Sequence, residues 1–179
     1  MRHRAAVAVL STLVASVAYA GATSTPAAAS HSRCTREAAT ILGTPGDDVL
    51  KGTDGEDIIV GLGGDDRIVA GANDETEYHY DRICGGAGDD VLVGHQGDPD
   101  NRFLETEAIV IGGPGDDRLL GGRELNGGSG NDELRGRGGR DQLLGGPGDD
   151  VIDGGKPDDD PGYADVVIFQ DGPVTADLV

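Results

Sequence analysis

The chain of 179 residues is long enough for one domain and carries 33 acidic against 14 basic residues, a formal charge of -19. Aromatic residues make up only 3% and tryptophan is absent, while glycine reaches 32 residues, which excludes a core built on large side chains. The same acidity repels nucleic-acid phosphates and anionic membrane surfaces, and it leaves a cation as the natural partner.

The chain opens with basic "MRHR", an apolar run "AAVAVLSTLVASVA" and a small-residue site at Ala18-Tyr19-Ala20. That three-part layout predicts a signal peptide over residues 1–20, with an alternative cut after Ala29, and hence a secreted, extracellular protein. The run is too short and too alanine-rich for a membrane span, and no other segment reads as one. Residues 21–42 are predicted to form an N-terminal linker and cap. His3, His31, His79 and His95 show no ligand spacing with Cys34 or Cys84, so zinc binding and thiol catalysis are not expected.

From residue 43 the sequence repeats with a period of nine. "GTPGDDVLK", "GTDGEDIIV" and "GLGGDDRIV" follow one another, and Asp48, Asp57 and Asp66 recur in step with Leu50, Ile59 and Ile68. A period of this kind marks a stacked, repetitive architecture. Six residues, 70–75, interrupt. Block 76, "TEYHYDRIC", keeps Asp81 and Ile83 without glycines, and block 85, "GGAGDDVLV", is a full copy. Residues 94–111 are degenerate, block 112 is full, and 121–126 read as a further insertion. Blocks 127, 136 and 145 then run in register, and block 154 decays. The end, "GYADVVIFQDGPVTADLV", predicts a strand segment over 161–179. The roll itself is placed at 43–160.

Each block provides a three-residue strand whose middle residue faces inward, then six residues that reverse the chain. Glycine suits the reversal because tight turns use positive φ. Two blocks make one coil, and coils stack at about 4.8 Å, the spacing between strands. The predicted fold class is therefore all-β, a parallel β-roll, that is, a β-solenoid of nine-residue Gly/Asp repeats.

Stacking sets the aspartates of alternate blocks above one another, Asp48 over Asp66 and Asp132 over Asp150. Like charges about 5 Å apart repel by roughly 1 kcal/mol in water and by more near a protein surface. A thin aliphatic core cannot offset this together with the entropy of ordering so much glycine. A hard divalent cation between turns reverses the sign. Calcium accepts six to eight oxygen ligands in flexible geometry, whereas magnesium demands a stricter octahedron.

The pattern resembles the repeats-in-toxin (RTX, hemolysin-type) nonapeptide, Gly-Gly-x-Gly-x-Asp-x-aliphatic-x, from residue 43 to about 155. Blocks 85, 112, 127 and 145 match every defined position. The resemblance implies several Ca2+ ions between turns, with the sixth-position aspartate as side-chain ligand. Carried over, that role falls on Asp48, Asp57, Asp66, Asp90, Asp117, Asp132, Asp141 and Asp150. Asp81 stands apart, because its block lacks the glycine turn. The chain is similar to small exported calcium-binding proteins of bacteria, and it departs from many family members in having an N-terminal signal and no room for an enzymatic domain.

The reading is a secreted, non-enzymatic calcium-binding protein that folds on binding. The alternatives are a structural or adhesive surface module that uses calcium for rigidity, and an extracellular enzyme. The fifth-position acids Asp47, Asp65, Asp89, Asp116 and Asp149 are expected to face solvent, and Arg67, Arg82 and Arg118 to soften the charge of the outer strand face. Cys34 and Cys84 are nearly three coils apart by count, about 13 Å along the axis, against the roughly 4.4–6.8 Å that a disulfide spans. An intramolecular bond is predicted on one condition: residues 21–40 leave the roll, fold back along its side and shield its open N-terminal edge.

Overall fold

The computed structural model describes residues 34–71, 80–94, 108–137, 140–155, 165–168 and 175–176. The predicted signal peptide, and most of the stretches 70–75 and 94–111, lie outside the described residues. Among the described residues no helix is long and apolar enough to cross a membrane.

The described residues form short strands, numbered here along the chain, in two parallel sheets. One sheet stacks Ile41–Leu42 (β1), Ile58–Gly63 (β3), Arg82–Ala87 (β5), Ile109–Pro114 (β7), Glu124–Ser129 (β9), Gln142–Leu144 (β11) and Val166–Ile168 (β13), in that order. The other stacks Val49–Lys51 (β2), Arg67–Val69 (β4), Val91–Val93 (β6), Arg118–Leu120 (β8), Glu133–Arg135 (β10), Val151–Asp153 (β12) and Thr175–Ala176 (β14). The chain alternates between the sheets, so each pair of strands is one coil of a parallel β-roll.

The core is a column of single aliphatic residues, one from the middle of each strand. Ile59, Ile68, Ile83, Leu92, Val110, Leu119, Leu125 and Leu134 are completely buried, with Leu143 and Ile152 nearly so. Side chains alternate across a strand, so one residue in three points inward, and slim branched residues fill the narrow space between the sheets. Ile41, Leu50 and Val167 close the two ends and are only partly buried.

Two of the expected insertions differ from the sequence reading. Residues 121–126 are not looped out. Leu125 pairs with Val110 on one side and Leu143 on the other, so this stretch supplies β9 and its core residue. The turn before it is three residues shorter than usual, which the eye reads as six added ones. The stretch 94–111 also rejoins the roll at its end, where Val110 lies beside Ile83. Val110 thus follows Leu92 by eighteen positions and one return of the chain.

Outward-facing residues of the first sheet form a second cluster, Val60, Cys84 and Ile111, packed against Cys34, Ala39, Ile58, Leu62 and Ile109. Cys34 and Cys84 are bonded, with α-carbons 6.1 Å apart. The predicted bond is present because residues 34–39 lie on the outer face of the first sheet, where Cys34 and Ala39 pack against the second cluster, whereas Thr40 already pairs with β3, its N–H donating to the Ile58 carbonyl at 2.9 Å. The described part of this segment covers a face rather than the N-terminal edge. Leu42 and Val49 at that edge stay exposed. On the opposite sheet, Glu133 takes ion pairs from Arg118 of the neighbouring strand at 3.3 Å and from Arg135 at 2.6 Å.

Candidate metal centre

The two edges of the roll are unlike. Turns running from the first sheet to the second keep one length: Ile41 to Leu50, Ile59 to Ile68, Ile83 to Leu92, Val110 to Leu119, Leu125 to Leu134 and Leu143 to Ile152 are each nine residues. Return turns vary, from six residues between Leu119 and Leu125 to eighteen between Leu92 and Val110. Every block that matches the full Gly-Gly-x-Gly-x-Asp pattern lies on the constant edge.

That edge carries an unbroken file of aspartates: Asp48, Asp66, Asp90, Asp117, Asp132 and Asp150. Each backbone N–H donates to Oδ1 of the aspartate one coil further on, at 2.8 Å from Asp48 to Asp66, 2.8 Å from Asp66 to Asp90, 2.9 Å from Asp90 to Asp117, 2.9 Å from Asp117 to Asp132 and 3.0 Å from Asp132 to Asp150. The expected stacking of Asp48 on Asp66 and Asp132 on Asp150 is present. The second oxygen is different. Oδ2 of Asp66, Asp90, Asp117 and Asp132 is buried with no hydrogen-bond partner. A buried carboxylate oxygen left without a donor costs roughly 1–3 kcal/mol or more.

Each such oxygen sits over the glycine that opens its own turn. A β-carbon on Gly61 would collide with Asp66 Oδ2 and the Gly85 carbonyl oxygen, and one on Gly112 with Asp117 Oδ2 and the Gly127 carbonyl oxygen. Two oxygen acceptors therefore converge beside each of these glycines, the kind of ligand that a hard cation takes. Among the described residues no three His, Cys, Asp or Glu side chains cluster, because each coil adds one carboxylate to a single file. An ion here would complete its shell with backbone carbonyls, the hard oxygen donors that calcium accepts and soft metals avoid.

Electrostatics agrees. Burial pushes the Asp117 carboxyl up to about 8, opposed by the Asp90 N–H and reinforced by the charges of Asp90, Asp132 and Asp89. Burial likewise takes Asp132 to about 7 and Asp90 to about 6, and raises Asp66 and Asp150. Without a cation the file holds its charge poorly.

The opposite edge is broken. Asp57 N–H donates to Asp81 Oδ1 at 2.8 Å, and Asp141 N–H to Asp165 Oδ1 at 3.0 Å. Between these pairs the equivalent positions are Ala108 and Arg123, two residues before Val110 and Leu125. Asp165 escaped the sequence reading because its turn is fifteen residues long. The cadence Asp165-x-Val167 was the signal that could have found it. Asp81 does stand in line beneath Asp57 although its block has no glycines. The expected set thus separates into Asp48, Asp66, Asp90, Asp117, Asp132 and Asp150 on one edge, and Asp57 and Asp141 on the other.

Asp48 and Asp57 differ from the rest. Asp48 Oδ2 accepts from the Thr44 N–H at 2.6 Å and the Thr44 hydroxyl at 3.0 Å. Asp57 Oδ2 accepts from the Thr53 N–H at 2.6 Å and the Thr53 hydroxyl at 2.8 Å, while its Oδ1 accepts from the Thr40 hydroxyl at 2.8 Å. Burial acts to raise the Asp57 carboxyl, but these hydrogen bonds outweigh it and hold it below the usual value. The fifth-position acids form their own exposed row with the opposite sense: Asp65 N–H donates back to Asp47 Oδ1 at 2.9 Å and Asp89 N–H to Asp65 Oδ1 at 3.0 Å.

The RTX calcium-binding nonapeptide repeat matches the chain in four copies, at residues 42–74, 80–98, 109–124 and 126–159, together more than half its length. No curated protein and no solved structure matches it. The repeat is a calcium-binding structural unit rather than an enzyme family. With its nine-residue turns, its stacked aspartates and these matches, the chain belongs to the RTX calcium-binding nonapeptide repeat family.

Proposed function

We propose that the protein is an exported calcium binder whose constant edge holds several Ca2+ ions between successive turns and which folds as they bind. The observation that carries this reading is the file of buried, partnerless Oδ2 atoms over the opening glycines, joined at Gly61 and Gly112 by a carbonyl oxygen. Asp66, Asp90, Asp117, Asp132 and Asp150 would supply the carboxylates. Asp141, with Asp165 beneath it, would offer a weaker site, because its turn also carries Arg137 and Arg140. Bound calcium would neutralise the file, and its binding free energy then becomes folding free energy.

Export rests on the N-terminal sequence, and it fits the need for a calcium-rich exterior. Calorimetric titration of the metal-stripped chain, followed in parallel by circular dichroism, tests the proposal. Calcium at about 0.1–1 mM, the range of extracellular modules, is expected to release heat and raise the β signal together. Identical spectra in chelator and in calcium would refute coupled folding, and an absence of heat would refute binding.

A further inference from the structure

The second residue of each turn separates the roll into two kinds of turn. On the constant edge of the later coils it is Leu62, Gly86, Gly113, Gly128 and Gly146, and every one has positive φ; on the variable edge Gly122, Arg137 and Gly155 do too, whereas Gly71, next to Thr53, does not. In the first coil it is Thr44 on the constant edge and Thr53 on the variable edge. Among the described residues Leu62 and Arg137 are the only non-glycines with positive φ, so both threonines lie outside that region. A β-branched residue is strongly disfavoured there by sterics. Threonine therefore folds its turn the other way, and this aims its N–H and hydroxyl at the carboxylate. The same hydroxyl accepts the N–H of Gly46 in one turn and Gly55 in the other, each at 3.3 Å; the Thr53 proton is directed at Asp57, and the Thr44 proton at Asp48 Oδ2 at 3.0 Å, with the Gly46 carbonyl a second acceptor at 3.2 Å.

The result is a substitution in kind. Oδ2 of Asp66, Asp90, Asp117 and Asp132 lacks any donor, whereas Oδ2 of Asp48 and Asp57 has two. Two N–H or O–H donors do for the carboxylate what a cation would do.

We infer that Thr44 and Thr53 stand in for metal in the first coil, so that the turns 43–48 and 52–57 take no calcium and the ladder begins at the turn 61–66. This rests on the calcium reading above and adds where the ladder starts. It assigns the first coil a separate task. Already closed by its own hydrogen bonds, with its leading segment tied to β5 by the disulfide, it presents the Asp48 N–H as a fixed donor to Asp66. The first ion is thereby met by a coil that needs no ion of its own.

The test counts calcium ions on the metal-stripped, oxidised full chain, by calorimetry and by elemental analysis of the protein equilibrated in calcium. Asp48→Asn and Asp57→Asn are expected to leave the count at the wild-type value, and Asp90→Asn and Asp117→Asn each to lower it. Thr44→Gly, which frees the turn to adopt positive φ, is expected to raise the count by one. Loss of an ion on Asp48→Asn or Asp57→Asn overturns the inference while leaving calcium binding intact. A Thr44→Gly protein that folds with an unchanged count also overturns it. A wild type that takes up no calcium overturns the calcium reading and this inference with it.

Discussion

At the scale of single residues, the aspartates and their opening glycines act as pairs. Gly112→Ala places a methyl group where Asp117 Oδ2 and the Gly127 carbonyl oxygen already lie, without any demand on φ. Overpacking of this kind costs about 1–3 kcal/mol, so calcium affinity in calorimetry is expected to fall roughly tenfold or more. Gly46→Ala is the control, because a β-carbon there meets nothing. Protons act on the same atoms. Asp90, Asp132 and Asp117 have carboxyls raised from 3.8 to about 6, 7 and 8. A raised folded value means that folding takes up protons. Their contribution to the metal-free fold is fully present below about pH 4 and is lost as pH rises through about 6 to 8. Acidifying the metal-stripped chain is therefore expected to increase its β signal, and calcium affinity is expected to climb as pH rises across that window. Dichroism and calorimetry at stepped pH check both slopes, and a β signal that falls on acidification from pH 8 to 4 would contradict them.

At the scale of elements, the disulfide and the turns carry separate consequences. The bond closes a loop of 50 residues and holds the leading segment over Val60, Cys84 and Ile111. Replacing both cysteines by serine is expected to cost a few kcal/mol, and so to raise the calcium needed for half-maximal folding in a dichroism titration. The period of nine was plain in the sequence, and it located the core column, because a fixed spacing of aliphatic residues leaves one inward position per strand. What escaped were changes of length. Leu125 was hidden because a turn shortened by three mimics a six-residue addition to the pattern. Asp165 was hidden because its glycines precede it by eleven residues rather than five. The part played by Thr44 and Thr53 was also out of reach: the same Gly-x-x-Gly-x-Asp spelling covers two turn geometries, and only φ distinguishes them. The bond from Cys34 to the side of β5 was legible, because the coil spacing ruled out a bond within the stack.

At the scale of the molecule, stability is shared along an axis rather than gathered at a centre. Apart from the leading segment, which reaches β5, each coil pairs with its neighbours only, so loss of one rung is expected to act locally. Asp132→Ala is expected to weaken calcium binding more than Asp81→Ala, because Asp132 lies within the unbroken file and Asp81 lies next to the gap at Ala108. Equal losses in calorimetry would show that the two edges are equivalent. They are not built alike: all departures from nine residues fall on the return turns, and none on the turns that bear the full pattern. The roll thus has a spine and a fringe. The spine fixes the pitch at which rungs repeat, and the fringe is free to grow. A twelve-residue Gly/Ser peptide spliced into the return between β12 and β13 should leave the calcium count of the chain untouched, while the same peptide placed between Gly88 and Asp89 should abolish at least one ion. On that footing the roll would serve as a scaffold with a built-in display margin, carrying foreign peptide in a row along one side while the nine-residue turns set the spacing from the other.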